Sequence, residues 1–135
     1  MEFAQVFKGY LVALGVFLVI DVVWIGMVAS KLYQDQIGFL LKERFNLPVA
    51  LGFYAVFIVG LMFFVIVPAL DRGSWQFALL AGAFFGLITY ATYDLTNLAT
   101  IKNWPVVITV IDIAWGTLLC GATSLISYLI IQRFV

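Results

Sequence analysis

Four long apolar runs fill most of this 135-residue chain and constrain it more than any other feature. Gly9 to Ser30 is apolar except for Asp21, and Val49 to Leu70 carries no charge. Trp75 to Leu98 carries only Asp94, and Val106 to Ile131 only Asp112. A helix needs about 20 such residues to cross a hydrocarbon layer of ~30 Å, and each run has them. The expected fold is all-α: a polytopic integral membrane protein, a four-transmembrane-helix bundle forming one domain over residues 1–135. Its spans are expected near 7–30, 48–70, 75–98 and 105–132. The long connection Lys31 to Leu47 holds Tyr33, Ile37, Phe39, Leu40, Leu41 and Phe45 among its charged residues. It is expected to form a short interfacial helix, near 32–46, between the first two spans.

Composition agrees. Hydrophobic residues make up 65% of the chain and charged ones 10%, with a mean hydropathy of +1.15. Seven acids and seven bases cannot cover the surface of a soluble domain this small. A net charge of zero offers no basic stripe, so the lipid bilayer is an expected partner and nucleic acid is not. With no histidine, histidine-held haem, the common zinc sites and Ser-His-Asp catalysis are excluded, and neither metal nor cofactor is expected. Cys120 stands alone and cannot form an intrachain disulfide. A secretory signal is the competing reading of the first run. Its 22 residues are long for an h-region, and no small-residue cleavage site follows Ser30.

The boundaries are marked. Asn46-Leu47-Pro48 precedes the second run, Asn103-Trp104-Pro105 precedes the fourth, and Asp71-Arg72-Gly73-Ser74 reads as the tight turn of a helical hairpin. Four spans return the C-terminus to the face where the N-terminus begins. This terminal face carries Lys8, Arg72 and Arg133; the opposite loop face carries Lys31, Lys42, Arg44 and Lys102. The balance is nearly even. The expected location is a bacterial inner membrane, with both termini cytoplasmic.

Asp21, Asp94 and Asp112 interrupt three of the runs. An acid at the bilayer centre costs about 2.5–3.5 kcal/mol on insertion scales. Counted from the loop face they lie ~13, ~6 and ~9 Å deep, so all three fall in the same half of the membrane. Each shares an i+4 row with small residues. Gly9, Ala13 and Phe17 lead to Asp21; Gly82, Gly86 and Tyr90 lead to Asp94; Gly116, Cys120 and Ser124 follow Asp112. Gly82, Gly86, Gly116 and Cys120 are therefore expected at helix contacts, with the acids turned into the bundle. The second run has no polar residue beyond Tyr54 and is expected to face lipid outside the polar pocket.

Val19-Ile20-Asp21-Val22-Val23-Trp24 echoes Val110-Ile111-Asp112-Ile113-Ala114-Trp115, with D-x-x-W in both. The two spans run in opposite directions, and inverted elements meeting near the midplane are a transporter habit. Six residues are too short to establish a repeat. The expected pocket is lined by Asp21, Trp24, Tyr90, Tyr93, Asp94, Asn97, Lys102, Asp112 and Trp115, with Lys102 as counter-charge to Asp94 or Asp112. Tyr10, Tyr33, Trp75, Trp104 and Tyr128 read as interfacial anchors. The plainer reading makes the three acids interhelical clamps.

The string Thr92-Tyr93-Asp94-Leu95-Thr96-Asn97-Leu98-Ala99-Thr100, then Trp104-Pro105, then Asp112-Ile113-Ala114-Trp115-Gly116, with the earlier Asp21-Val22-Val23-Trp24, resembles a bacterial family of small predicted membrane proteins, domain of unknown function 2177. The resemblance covers nearly the whole chain. It implies a stand-alone four-helix membrane protein and brings no activity. Three functions compete on the residues themselves. The first is binding or transport of a proton, cation or small polar solute through the acid-lined pocket, which in so thin a bundle implies a homodimer. The second is a structural or accessory subunit of a larger membrane complex. The third is an intramembrane enzyme acting on a lipid or isoprenoid. With no activated nucleophile or metal site, that enzyme would be limited to proton-transfer chemistry, so no catalytic residue is assigned.

Overall fold

The computed structural model covers residues 1–135 and is built of helices and short turns. Four helices are long and apolar enough to cross a membrane: α1 Phe3–Leu40, α2 Leu47–Arg72, α3 Trp75–Thr100 and α4 Val106–Phe134. Local chemistry sets their ends. The Asn46 side chain accepts the Val49 N–H at 3.2 Å and caps α2, with Pro48 in its first turn. Gly73 closes α2 with a left-handed φ of 62°, a conformation that a side chain would strain. Ser74 Oγ accepts the Phe77 N–H at 3.1 Å to open α3. The Arg72 guanidinium lies 4.0 Å over the Phe77 ring, tying the α2–α3 hairpin from both sides.

The segment expected as a separate interfacial helix continues α1 instead. A regular helix over Phe3–Trp24 passes into a π turn at Ile25–Ala29, a helix over Ser30–Ile37 and a 3₁₀ turn at Gly38–Leu40. No proline interrupts it between Asp21 and Ile37. The apolar side of the extension is covered by protein rather than headgroups: Ile37 packs with Trp104 and Ile108, with Leu32, Tyr33 and Leu41 alongside.

The tightest seam joins α3 to α4. A Cβ at Gly82 would sit 2.5 Å from Ser124 Oγ and 2.8 Å from the Cys120 carbonyl oxygen. One at Gly86 would strike the Gly116 carbonyl, and one at Gly116 the Tyr90 ring. Cys120 is fully buried on this seam. Small residues here let the two backbones approach, which is what drives helix association where lipid is as apolar as leucine.

The second helix is not peripheral. It buries Phe57, Ile58, Leu61, Met62, Val65 and Ile66 against Ala13, Phe17, Leu119 and Ile131. A helix that is apolar all round does not reveal from sequence which side is core, and this was the source of the contrary expectation. A second π turn, Met62–Ile66, comes just before Pro68, whose ring cannot lie over the carbonyl four residues back. Through this turn α2 packs on α3. Nearer the loop face the two helices part, and ring contacts of Phe57 with Phe85 (5.4 Å) and Tyr90 (6.5 Å) span the gap. The terminal-face half is therefore closely packed, and the loop-face half is open.

Candidate functional site

In the open half, α1 and α4 bring their two D-x-x-W motifs face to face. The Trp24 and Trp115 rings stack with centroids 4.4 Å apart and an interplanar angle of 10°. Trp115 Nε1 donates to Asp21 at 3.2 Å, and the Tyr54 hydroxyl donates to its other oxygen at 2.9 Å. Asp21 is 7% exposed and satisfied on both oxygens. On the other copy, the Tyr33 hydroxyl donates to Asp112 at 2.5 Å.

Asp94 differs. It is fully buried, and neither carboxylate oxygen has a donor. Within hydrogen-bonding reach of it lies the carboxyl of Asp112, one turn of α3 meeting one turn of α4. The α3–α4 seam brings these acids together, because Gly86 and Gly116 remove the side chains that would hold the helices apart.

Asp21, Asp94 and Asp112 line one cavity of about 500 Å³, with Trp24, Tyr90, Tyr93 and Trp115 in the same wall. That size is ordinary for a small-ligand site. The three acids do not form a ligand cluster for a metal ion. Asn97 sits beside the Tyr93 hydroxyl and outside the lining. Lys102 is not the counter-charge: it is exposed in the α3–α4 loop, with no carboxylate within ion-pair distance. Its ammonium keeps its water, and the neighbour that folds in is Trp104, 8% exposed, with its Nε1 donating to Thr109 at 3.1 Å. No basic residue lines the cavity.

Among the lining residues that escape a reading of the sequence, Trp104, Tyr33 and Tyr54 carry polar groups on aromatic rings. Trp104 and Tyr33 read as interfacial anchors, and Tyr54 as part of a lipid-facing helix; all three line the cavity. Tyr33 has a geometric cause. Twelve residues after Asp21, it would lie roughly 120° around a regular helix from that acid. The π turn at Ile25–Ala29 absorbs one residue and reduces the angle to roughly 20°, so Tyr33 returns to the acid-bearing face. The signal for Tyr54 is that it is the one polar residue in its run.

No curated protein and no solved structure matches the chain. A family model described as "Predicted membrane protein (DUF2177)" matches residues 6–129, nearly the whole length, and with its four apolar helices and multi-pass architecture the chain belongs to that family.

Proposed function

We propose that the chain binds a monovalent cation in its loop-face cavity in exchange for a proton. The observation that carries this is Asp94, buried without a donor beside Asp112 in a cavity free of bases. Two carboxyls that close, in a low-dielectric setting, do not both hold a bare negative charge. Either a proton or a cation lies between them, and the two compete. A purely structural acid finds donors, as Asp21 does in Tyr54 and Trp115. The close α3–α4 contact at Gly82, Gly86 and Gly116 lies on the terminal-face side of Asp94 and Asp112, which favours a one-sided exchange site over an open pore. In the orientation we adopt, a bacterial inner membrane with both termini cytoplasmic, the cavity faces outward. Labelling of Lys102→Cys in a Cys120→Ser background by an impermeant thiol reagent from outside checks that orientation.

The exchange itself is tested by adding butylammonium or sodium to weakly buffered, detergent-solubilised protein containing a pH-indicator dye. About one proton is released per cation bound, and the release disappears in Asp94→Asn. Cation binding without proton release, or release that persists in Asp94→Asn, overturns the reading.

A further inference from the structure

We infer that the cavity takes the amine head of a membrane amphiphile, whose apolar chain enters sideways from the bilayer between α2 and α3. This rests on the cation-binding reading of the same cavity and names the class of cation.

A second space, about 690 Å³, lies where α2 and α3 part. Ala50, Phe53 and Phe57 form one wall of it, and Ile88, Thr89 and Thr92 the other. Its inner boundary is the outer wall of the acid cavity: Tyr54, Tyr90, Tyr93 and Asp112 line both. Thr89 and Thr92 already donate to the Phe85 and Ile88 carbonyls within their own helix, at 2.8 and 2.7 Å. The cleft therefore asks little of a ligand in polar contacts and suits an alkyl chain.

The head is defined by the other side of the tyrosines. Neither space is lined by a lysine or arginine, so an anionic head has no partner there. The unpartnered Asp94 and its neighbour Asp112 supply negative charge, and Trp24, Tyr33, Tyr90 and Trp115 supply aromatic surface around them. Carboxylates among aromatic faces are the chemistry that recognises an ammonium group. A water-soluble cation would use the cavity and leave the cleft empty; an amine on an alkyl chain fills both.

The protein carries its own reporter. Of its four tryptophans, Trp24, Trp104 and Trp115 line the cavity and Trp75 does not, so Trp75→Phe leaves only cavity tryptophans emitting. In phosphatidylcholine vesicles, dodecylamine changes this emission saturably, dodecanol at the same mole fraction does not, and butylamine acts only at higher concentration. Ala50→Phe with Thr92→Phe fills the cleft at positions that are at least partly exposed and tolerate substitution. It weakens dodecylamine about tenfold more than butylamine. Equal weakening of both amines, or an equal response to dodecanol, overturns the chain-and-head assignment and leaves the cation site standing. Silence toward butylamine and dodecylamine alike removes the cation-binding reading as well.

Discussion

Asp21-x-x-Trp24 and Asp112-x-x-Trp115 are one short pattern laid in opposite directions through the bundle. Asp21 has a donor on each oxygen, Tyr54 from α2 and Trp115 from α4. Asp112 has Tyr33 on one oxygen and meets the carboxyl of Asp94. The pattern places both acids in the same half of the membrane, on the wall of one cavity. The third partner divides them: α2 presents a hydroxyl to the first copy, and α3 presents another acid to the second. A donor completes a structural clamp, whereas a second carboxyl creates a deficit that a proton or cation must fill.

The largest expected effect is in Asp94→Asn, where proton release falls from about one per cation to none. Its thermal unfolding in detergent moves little or upward, because no donor to Asp94 is lost and an amide cannot develop the charge that sets Asp94 against Asp112. Asp21→Leu reverses the ordering. It strands the Tyr54 hydroxyl and the Trp115 N–H and destabilises the fold by about 1–2 kcal/mol, between the ~0.6 of an average membrane hydrogen bond and the larger penalty for buried unpaired donors. Proton release survives better in this variant than in Asp94→Asn. If Asp21→Leu loses release as completely as Asp94→Asn, the division between the two copies is wrong.

Much of this was legible before any coordinates. Long apolar runs mark the four helices, and chain direction alone puts the three acids in one half of the membrane. The glycine rows announce the α3–α4 seam, since only a missing Cβ lets Gly86 meet the Gly116 carbonyl. What stayed hidden follows from three physical causes. A uniformly apolar helix shows no preferred face, so the part played by Tyr54 and the buried Ile58 to Ile66 stretch of α2 could not be read. A π turn changes helical phase without any signature in Ile25-Gly26-Met27-Val28-Ala29, so Tyr33 counted onto the wrong face. A lysine near a membrane acid invites pairing on paper, yet Lys102 stands in a loop where water solvates it better.

Tyr33→Phe gives a smaller effect, about 1 kcal/mol of unfolding free energy, because one hydroxyl-to-carboxylate bond is removed at a partly buried position. It sharpens the comparison by making the two copies less alike: Asp21 keeps both donors while Asp112 loses its one. A loss as large as that of Asp21→Leu would mean that Tyr33, and with it the α1 extension, carries more of the fold than a single bond.

The smallest expected effect concerns the contact that joins the copies. Trp24→Leu removes one ring of the stack and leaves the Trp115–Asp21 bond in place, whereas Trp115→Leu removes both. Trp115→Leu is therefore the more destabilising of the two. The double variant isolates the stack itself, because the hydrogen-bond loss appears in both arms of the cycle that lack Trp115 and cancels. A coupling of about 0.5–1.5 kcal/mol is expected for a ring pair at 4.4 Å and near-parallel planes. A coupling in that range makes the two motifs one unit, so a change in charge at Asp112 can reach Asp21 through rings in contact. A coupling indistinguishable from zero makes the stack mere space-filling, and the clamp and the exchange site then act as neighbours without communication.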